Sequence, residues 1–263
     1  MRTSNSYLRC CIKKYAGIAI LMVLVTAFIL AACAGENLDI RYDLSAEPEY
    51  QLFPPGDQAF DEDFTAALEE FKTIVKNRNQ HELEHFLDEN VRTSFDVEYP
   101  TGPDEFNDAW LLDTQDYKIS AVWEVLESVL SLEGVYDAGA GTYHSPYTYF
   151  ACPDRFKDDN IELCFAVTAE GVNLYEEKDL KSKIIARMDY NIVYLDIDER
   201  DYNEKPPTEL VKINTVGGVI GYVQKQHLHS LVDNRILMHR TEDGWKLKYL
   251  VSGRMYEWYL PEE

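Results

Sequence analysis

Leu210-Val211-Lys212-Ile213, followed by Val219-Ile220-Gly221-Tyr222-Val223, fixes how this chain is expected to fold. Apolar and polar residues alternate on both sides of Gly217-Gly218, the pattern of two strands joined by a tight turn. Upstream, Phe165–Thr168 and Val172–Tyr175 flank Glu170-Gly171, and Ile184–Ala186 and Asn191–Leu195 follow. Strands of this length at this spacing predict a small barrel over residues 164–232. The acidic run from Asp196 interrupts it. Asp196 and Asp198 alternate as calcium ligands would, but Arg200 breaks the alternation and no Gly supplies the sharp turn. A solvated acidic loop is the better account.

Three pieces of this region resemble a bacterial SH3 (SH3b) domain: Gly171-Val172-Asn173-Leu174, Ser182-Lys183-Ile184-Ile185, and Gly221-Tyr222-Val223 followed by Leu228. Tyr175 and Asp179 stand where many members have Arg and Pro, and Leu210 where many have Trp. The resemblance implies contact with cell-wall peptides or proteins; in the absence of that Trp, Tyr175, Tyr194 and Tyr222 offer an alternative aromatic face. The same tyrosines would equally serve to pack the hairpin.

Upstream of residue 164 the period is helical. Phe64, Leu68, Phe71, Ile74 and Val75 predict a helix over Asp61–Lys76, and Leu83, Phe86 and Leu87 a second over Gln80–Asp88. Pro103–Leu112 and Ile119–Leu132 supply two more, the last stopped by Gly134. Thr142–Cys152 reads as an extended segment rich in tyrosine, a candidate ligand cleft. Beyond the barrel, Ile236–Arg240 and Trp245–Val251 form a hairpin across Glu242-Asp243-Gly244 that is expected to pack on the N-terminal body.

The second helix contains His81-Glu82-Leu83-Glu84-His85, formally the zincin signature, in which two histidines one turn apart bind zinc and the Glu activates water. At 100° per residue the apolar side lies at Leu83, Phe86 and Leu87, which turns His81 and His85 toward solvent. The charged neighbours Arg78 and Glu84 also differ from the uncharged surroundings of such helices. We read the match as coincidental and expect no metal and no cofactor.

The first segment gives the compartment. Arg2, Arg9, Lys13 and Lys14 precede an apolar run, Tyr15–Leu30, that is short for a spanning helix. Leu30-Ala31-Ala32-Cys33 then resembles the lipobox of bacterial lipoproteins. The resemblance implies removal of residues 1–32 as signal peptide and lipidation of Cys33. Ala34 rather than Asp after the cysteine favours the outer membrane in a cell with two membranes. The whole chain carries −22; the leader takes away four positive charges and no negative ones, leaving −26. So acidic a body is a poor partner for nucleic acid. With Cys10 and Cys11 in the leader and Cys33 acylated, Cys152 and Cys164 remain, an even pair expected to form a disulfide in an oxidising compartment.

The expected fold class is therefore α+β: a linker (33–58), a mainly helical N-terminal domain (59–163), a small SH3-like β-barrel (164–232), and a terminal β-hairpin and tail (233–263). The expected function is non-catalytic. Membrane lipid holds the protein in the bacterial cell envelope through Cys33, and the SH3b-like module contacts a protein or peptidoglycan-peptide partner. A zinc metallohydrolase acting through His81, Glu82 and His85 and a ligand-binding lipoprotein with a tyrosine-lined cleft are the alternatives.

Overall fold

The structure is a computed structural model and describes residues 38–44, 48–94, 100–157, 161–199 and 202–252. Met1–Ala32, the lipobox and Cys33 lie outside these residues.

Helix α1 (Glu62–Asn77) begins where the Asp61 carboxylate accepts the Phe64 N–H at 2.8 Å, and it buries Phe64, Leu68, Phe71, Ile74 and Val75. The chain reverses at Arg78 in the left-handed region (φ 51°) into α2 (Gln80–Phe86), which is capped by Asn79. Strand β1 (Leu87–Arg92) follows without a loop. Two further helices, α3 (Pro103–Ala109) and α4 (Ala121–Leu130), complete the helical layer, the second capped by the Ser120 hydroxyl. Then come β2 (Val135–Asp137), β3 (Thr142–Ser145) and one short turn of helix, α5 (Tyr147–Phe150).

Seven strands occupy the middle of the C-terminal half: β4 (Cys164–Val167), β5 (Val172–Tyr175), β6 (Ile184–Met188), β7 (Ile192–Leu195), β8 (Leu210–Thr215), β9 (Ile220–Gln224) and β10 (Leu228–Ser230). They form one sheet in the order β10-β4-β7-β8-β9-β5-β6. Edge strand β6 is joined to β7, four places away, by residues 189–191 alone, so the sheet has to curl. The curl encloses Val172, Leu174, Met188, Val193, Val211 and Ile213.

The last two strands, β11 (Arg235–Thr241) and β12 (Gly244–Val251), do not remain with that sheet. They form the centre of a five-stranded sheet ordered β1-β12-β11-β3-β2, in which β1 runs parallel to β12 and pairs Leu87 with Leu247. Helices α1, α2 and α4 cover one face, and Phe64, Phe71, Trp123, Leu126, Met238 and Trp245 share its core. A third cluster includes Leu52, Tyr147, Tyr149, Cys152, Cys164 and Ile192 and so draws on residues of both halves. Buried Arg235 stacks its guanidinium 4.0 Å from the Tyr149 ring.

These sheets correct the expected fold class. Instead of a mainly helical N-terminal domain, a separate SH3-like barrel and an appended hairpin, the chain is mostly β, in sheets of five and seven strands with short helices. The hairpin is the middle of the first sheet rather than an addition to it. The helical periods were sound, but the partners of β1 and β3 lie far along the chain, where no local period registers them. The described part of the expected linker is also not a spacer. Asp39 and Arg41 donate backbone N–H groups to Ile184 and Ile185 at 2.9 Å each, and Leu52 donates to Tyr190 at 2.7 Å. Gln58 then bonds Gly134 O and Tyr136 N. This segment straps the seven-stranded sheet to the β2 edge of the five-stranded one.

Gly221 packs where no side chain fits. A Cβ there would lie 2.7 Å from Leu174 Cγ and 2.8 Å from Tyr175 O. Gly221→Ala is expected to destabilise the protein by about 1–3 kcal/mol, the cost of overpacking a filled core. The urea unfolding midpoint measures this, and an unchanged midpoint would refute the close packing.

Candidate functional site

Along β8 and β9 every second residue turns inward: Val211, Ile213 and Thr215 on one strand, Gly221 and Val223 on the other. The residues between them, Lys212, Asn214, Ile220 and Tyr222, therefore lie on the outer face. Register brings Tyr175 directly opposite Tyr222, which in turn sits opposite Lys212. Tyr194 is on the same face, two strands from β9, in the neighbouring row with Asn214 and Ile220. All three sequence-predicted tyrosines thus share one face. Tyr175 and Tyr222 are register partners across β5 and β9, whereas Tyr194 also packs against the third cluster. Ile220 is 54% exposed beside them.

Charge on this face is balanced locally. Lys212 Nζ lies 2.9 Å from Asp196 Oδ2. That contact holds the Asp196 carboxyl below its ordinary range and the Lys212 ammonium above its own. The Asn173 amide donates to the Tyr175 hydroxyl at 3.5 Å. Sequence reasoning missed Lys212, Asp196 and Ile220 as neighbours, although the alternation that placed Tyr222 outward places two of them as well.

The zincin-like residues do not converge on a metal geometry. His81, Glu82 and His85 are exposed on α2, and the two rings stack edge to face at 4.9 Å. Among the described residues no group of three His, Cys, Asp or Glu side chains could hold a metal ion. A cavity of about 590 Å³ opens between α1 and the β11–β12 turn, and of the three motif residues only His85 lines it. Its walls carry both signs of charge, with Asp63 and Glu70 against Arg240 and Lys246.

The tyrosine-rich segment is mostly core, although Tyr143 edges a cavity of about 300 Å³ beside Phe60 and Gly134. Tyr143, Tyr147 and Tyr149 are buried, the first in the helical-layer core and the other two in the third cluster. His144 packs tilted against Phe150 with centroids 4.0 Å apart, and burial pulls its pKa down to about 4, so it packs as a neutral ring at neutral pH. Cys152 and Cys164, the residues expected to bridge, are both buried thiols of the third cluster in this structure.

A polar constellation that sequence reasoning did not find lies on the side of the five-stranded sheet away from the helices. Asp88 Oδ2 is 2.6 Å from His239 Nε2, Asp88 Oδ1 is 3.7 Å from Lys248 Nζ, and the carboxylate accepts the Asn90 N–H at 2.8 Å. Burial works to raise the Asp88 pKa, but the Asn90, His239 and Lys248 contacts outweigh it and leave the pKa lowered. The residues lie on β1, β11 and β12, and only the parallel register joins them.

With the geometry established, comparison with known proteins adds little. No family model and no curated protein matches the sequence. One similar solved structure is an NTF2-like protein with a cystatin-like fold from Novosphingobium aromaticivorans, at 13% identity over 77% of this chain and 90% of that one, with a TM-score of 0.21. No residue role is carried over from it.

Two outcomes follow from this geometry. Asp88→Asn is expected to destabilise the protein at neutral pH by about 1.5–3 kcal/mol, the range for hydrogen bonds to a charged group. Because the folded-state pKa is depressed, the Asp88 contribution is present above the unfolded value near about 3.9 and is lost as pH falls through the folded one. Thermal melts across pH should therefore show wild type and variant converging in acid. Burial pushes the Cys152 thiol up to about 12, so folded protein should resist maleimide at neutral pH. Mass spectrometry after unfolding should show both Cys152 and Cys164 modified; a pair that reacts only after reduction would instead be a disulfide.

Proposed function

We propose that this protein is a non-catalytic component of the bacterial cell envelope, held at a membrane by lipid on Cys33. It contacts a protein or peptidoglycan-peptide partner through the outer face of its seven-stranded sheet. The observation that carries this reading is the opposed pair Tyr175 and Tyr222, with Lys212 on the next strand and Ile220 exposed alongside. Two rings and an apolar side chain on a rigid sheet supply contact area at small entropic cost. The amino groups and carboxylates of a peptide would find Asp196 and Lys212 at the rim. The net charge of the mature chain, −26 once the four leader cations are removed, argues for such a ligand over nucleic acid. A zinc hydrolase reading is less supported, since the exposed His81 and His85 have no third ligand among the described residues.

Retention on purified peptidoglycan sacculi tests the partner. Wild type should co-sediment, and Tyr222→Ala should weaken retention by roughly tenfold or more, the loss expected when a central aromatic anchor is truncated. Wild type that stays in the supernatant, or a variant that matches it, would remove the wall-binding version. For the anchor, Cys33→Ala should abolish incorporation of labelled palmitate in cells.

A further inference from the structure

The strap that begins at Leu38 is the start of the described chain, and its direction matters. The Leu38–Ile184 bridge is parallel, so the N-terminal end of the strap lies at the β5–β6 loop end of edge strand β6. Backbone bonds from Asp39 and Arg41 to β6 fix it there. Side-chain contacts reinforce it: Arg41 reaches Glu176 at 2.8 Å, and Lys183 reaches Asp39 at 3.5 Å.

Leu38, Ile40 and Tyr42 alternate along the strap and are all exposed, Leu38 at 53%. Leu180, 51% exposed, sits in the β5–β6 loop at the same end. Apolar side chains repeated at every second position of an extended segment form one side of it. The loop is also neutral, with Glu176, Glu177 and Asp179 matched by Lys178, Lys181 and Lys183 in a chain that is strongly acidic overall.

Five peptide steps separate Cys33 from Leu38, a reach of at most about 18 Å at ~3.6 Å per residue. A lipid on Cys33 would therefore bring this edge to the bilayer surface. We infer, resting on the Cys33 anchor proposed above, that the sheet edge carrying Leu38, Ile40, Tyr42 and Leu180 seats in the membrane–water interface, with the lipid bilayer as its occupant. Leu and Ile partition into the headgroup–acyl boundary, and Tyr is a residue of that layer. Residues 38–44 and 176–183 together carry a net charge of only −1, so this edge approaches anionic headgroups that repel the rest of the body more strongly.

Site-specific fluorescence on the mature acylated protein, from Cys33 onward, tests this. Leu180→Cys carries a bimane label, the buried Cys152 and Cys164 remaining unlabelled. Ile119→Cys, where Ile119 is 79% exposed just ahead of α4, is the control. The proteins are bound to phosphatidylethanolamine–phosphatidylglycerol vesicles containing lipids spin-labelled at shallow depth. The label at 180 should lose fluorescence while that at 119 keeps it. Vesicle-bound protein with no loss at 180, or equal loss at both positions, overturns the seating and leaves the anchor standing. Protein that does not float with the vesicles overturns the anchor, and the seating with it. If Leu180→Cys melts below wild type, a label at Leu38→Cys reads the same surface.

Discussion

The parallel pairing of β1 with β12 is the constraint on which the rest of this protein depends. Leu87 lies beside Leu247, so everything between the two strands is a closed excursion from one sheet. Closing so long a loop costs only slightly more than closing one half its length, because the entropic cost grows with the logarithm of length. The gain is the core beneath it, where Phe64, Trp123, Leu126 and Trp245 are removed from water by helices from one end of the chain and strands from the other. The five-stranded sheet therefore cannot form until the last described strand is present. The seven-stranded sheet draws all its strands from residues 164–230 and has no such requirement.

That difference explains what could be read from sequence. Where structure follows from neighbours, the residues announce it: the apolar set of α1 is the set the helical period selects, and the β8–β9 hairpin turns at Gly217–Gly218. Where structure depends on distant partners, they do not. Strand β1 carries Asp88, Glu89 and Asn90, residue types depleted in strands, and holds its place by pairing with β12 and by the contact of Asp88 with His239. The strap was hidden for another reason. It is held largely through backbone groups of Asp39, Arg41 and Leu52, and backbone hydrogen bonds leave no mark on side-chain identity. The fixed dihedrals of Pro48, Pro54 and Pro55 suit such a docked segment.

The candidate face was half legible for the same reason. Alternation along a single strand puts Tyr222 outward without reference to any partner. That Tyr175 opposes it depends on the register of β9 against β5, strands separated by β6, β7 and β8 in sequence. The tyrosines at 143, 147 and 149 show the converse. Their density suggested a surface, and tertiary packing consumed them in two cores.

The strap also changes what a lipid anchor would do mechanically. A flexible tether of the length first expected would let the body turn freely, and any face could meet a partner. A strap bonded to β6 would instead tie such an anchor to the edge of a sheet whose outer face bears Tyr175, one strand in from that edge. The orientation of the tyrosine face relative to a membrane would then be set by the sheet itself. Electrostatics acts in the same direction. At physiological ionic strength repulsion between the acidic body and anionic headgroups is screened beyond about 8 Å, so what matters is the charge within that distance of the bilayer. The balanced loop between β5 and β6 meets that condition, and the acidic remainder of the surface is better accommodated facing away, toward the aqueous side where a partner would be met.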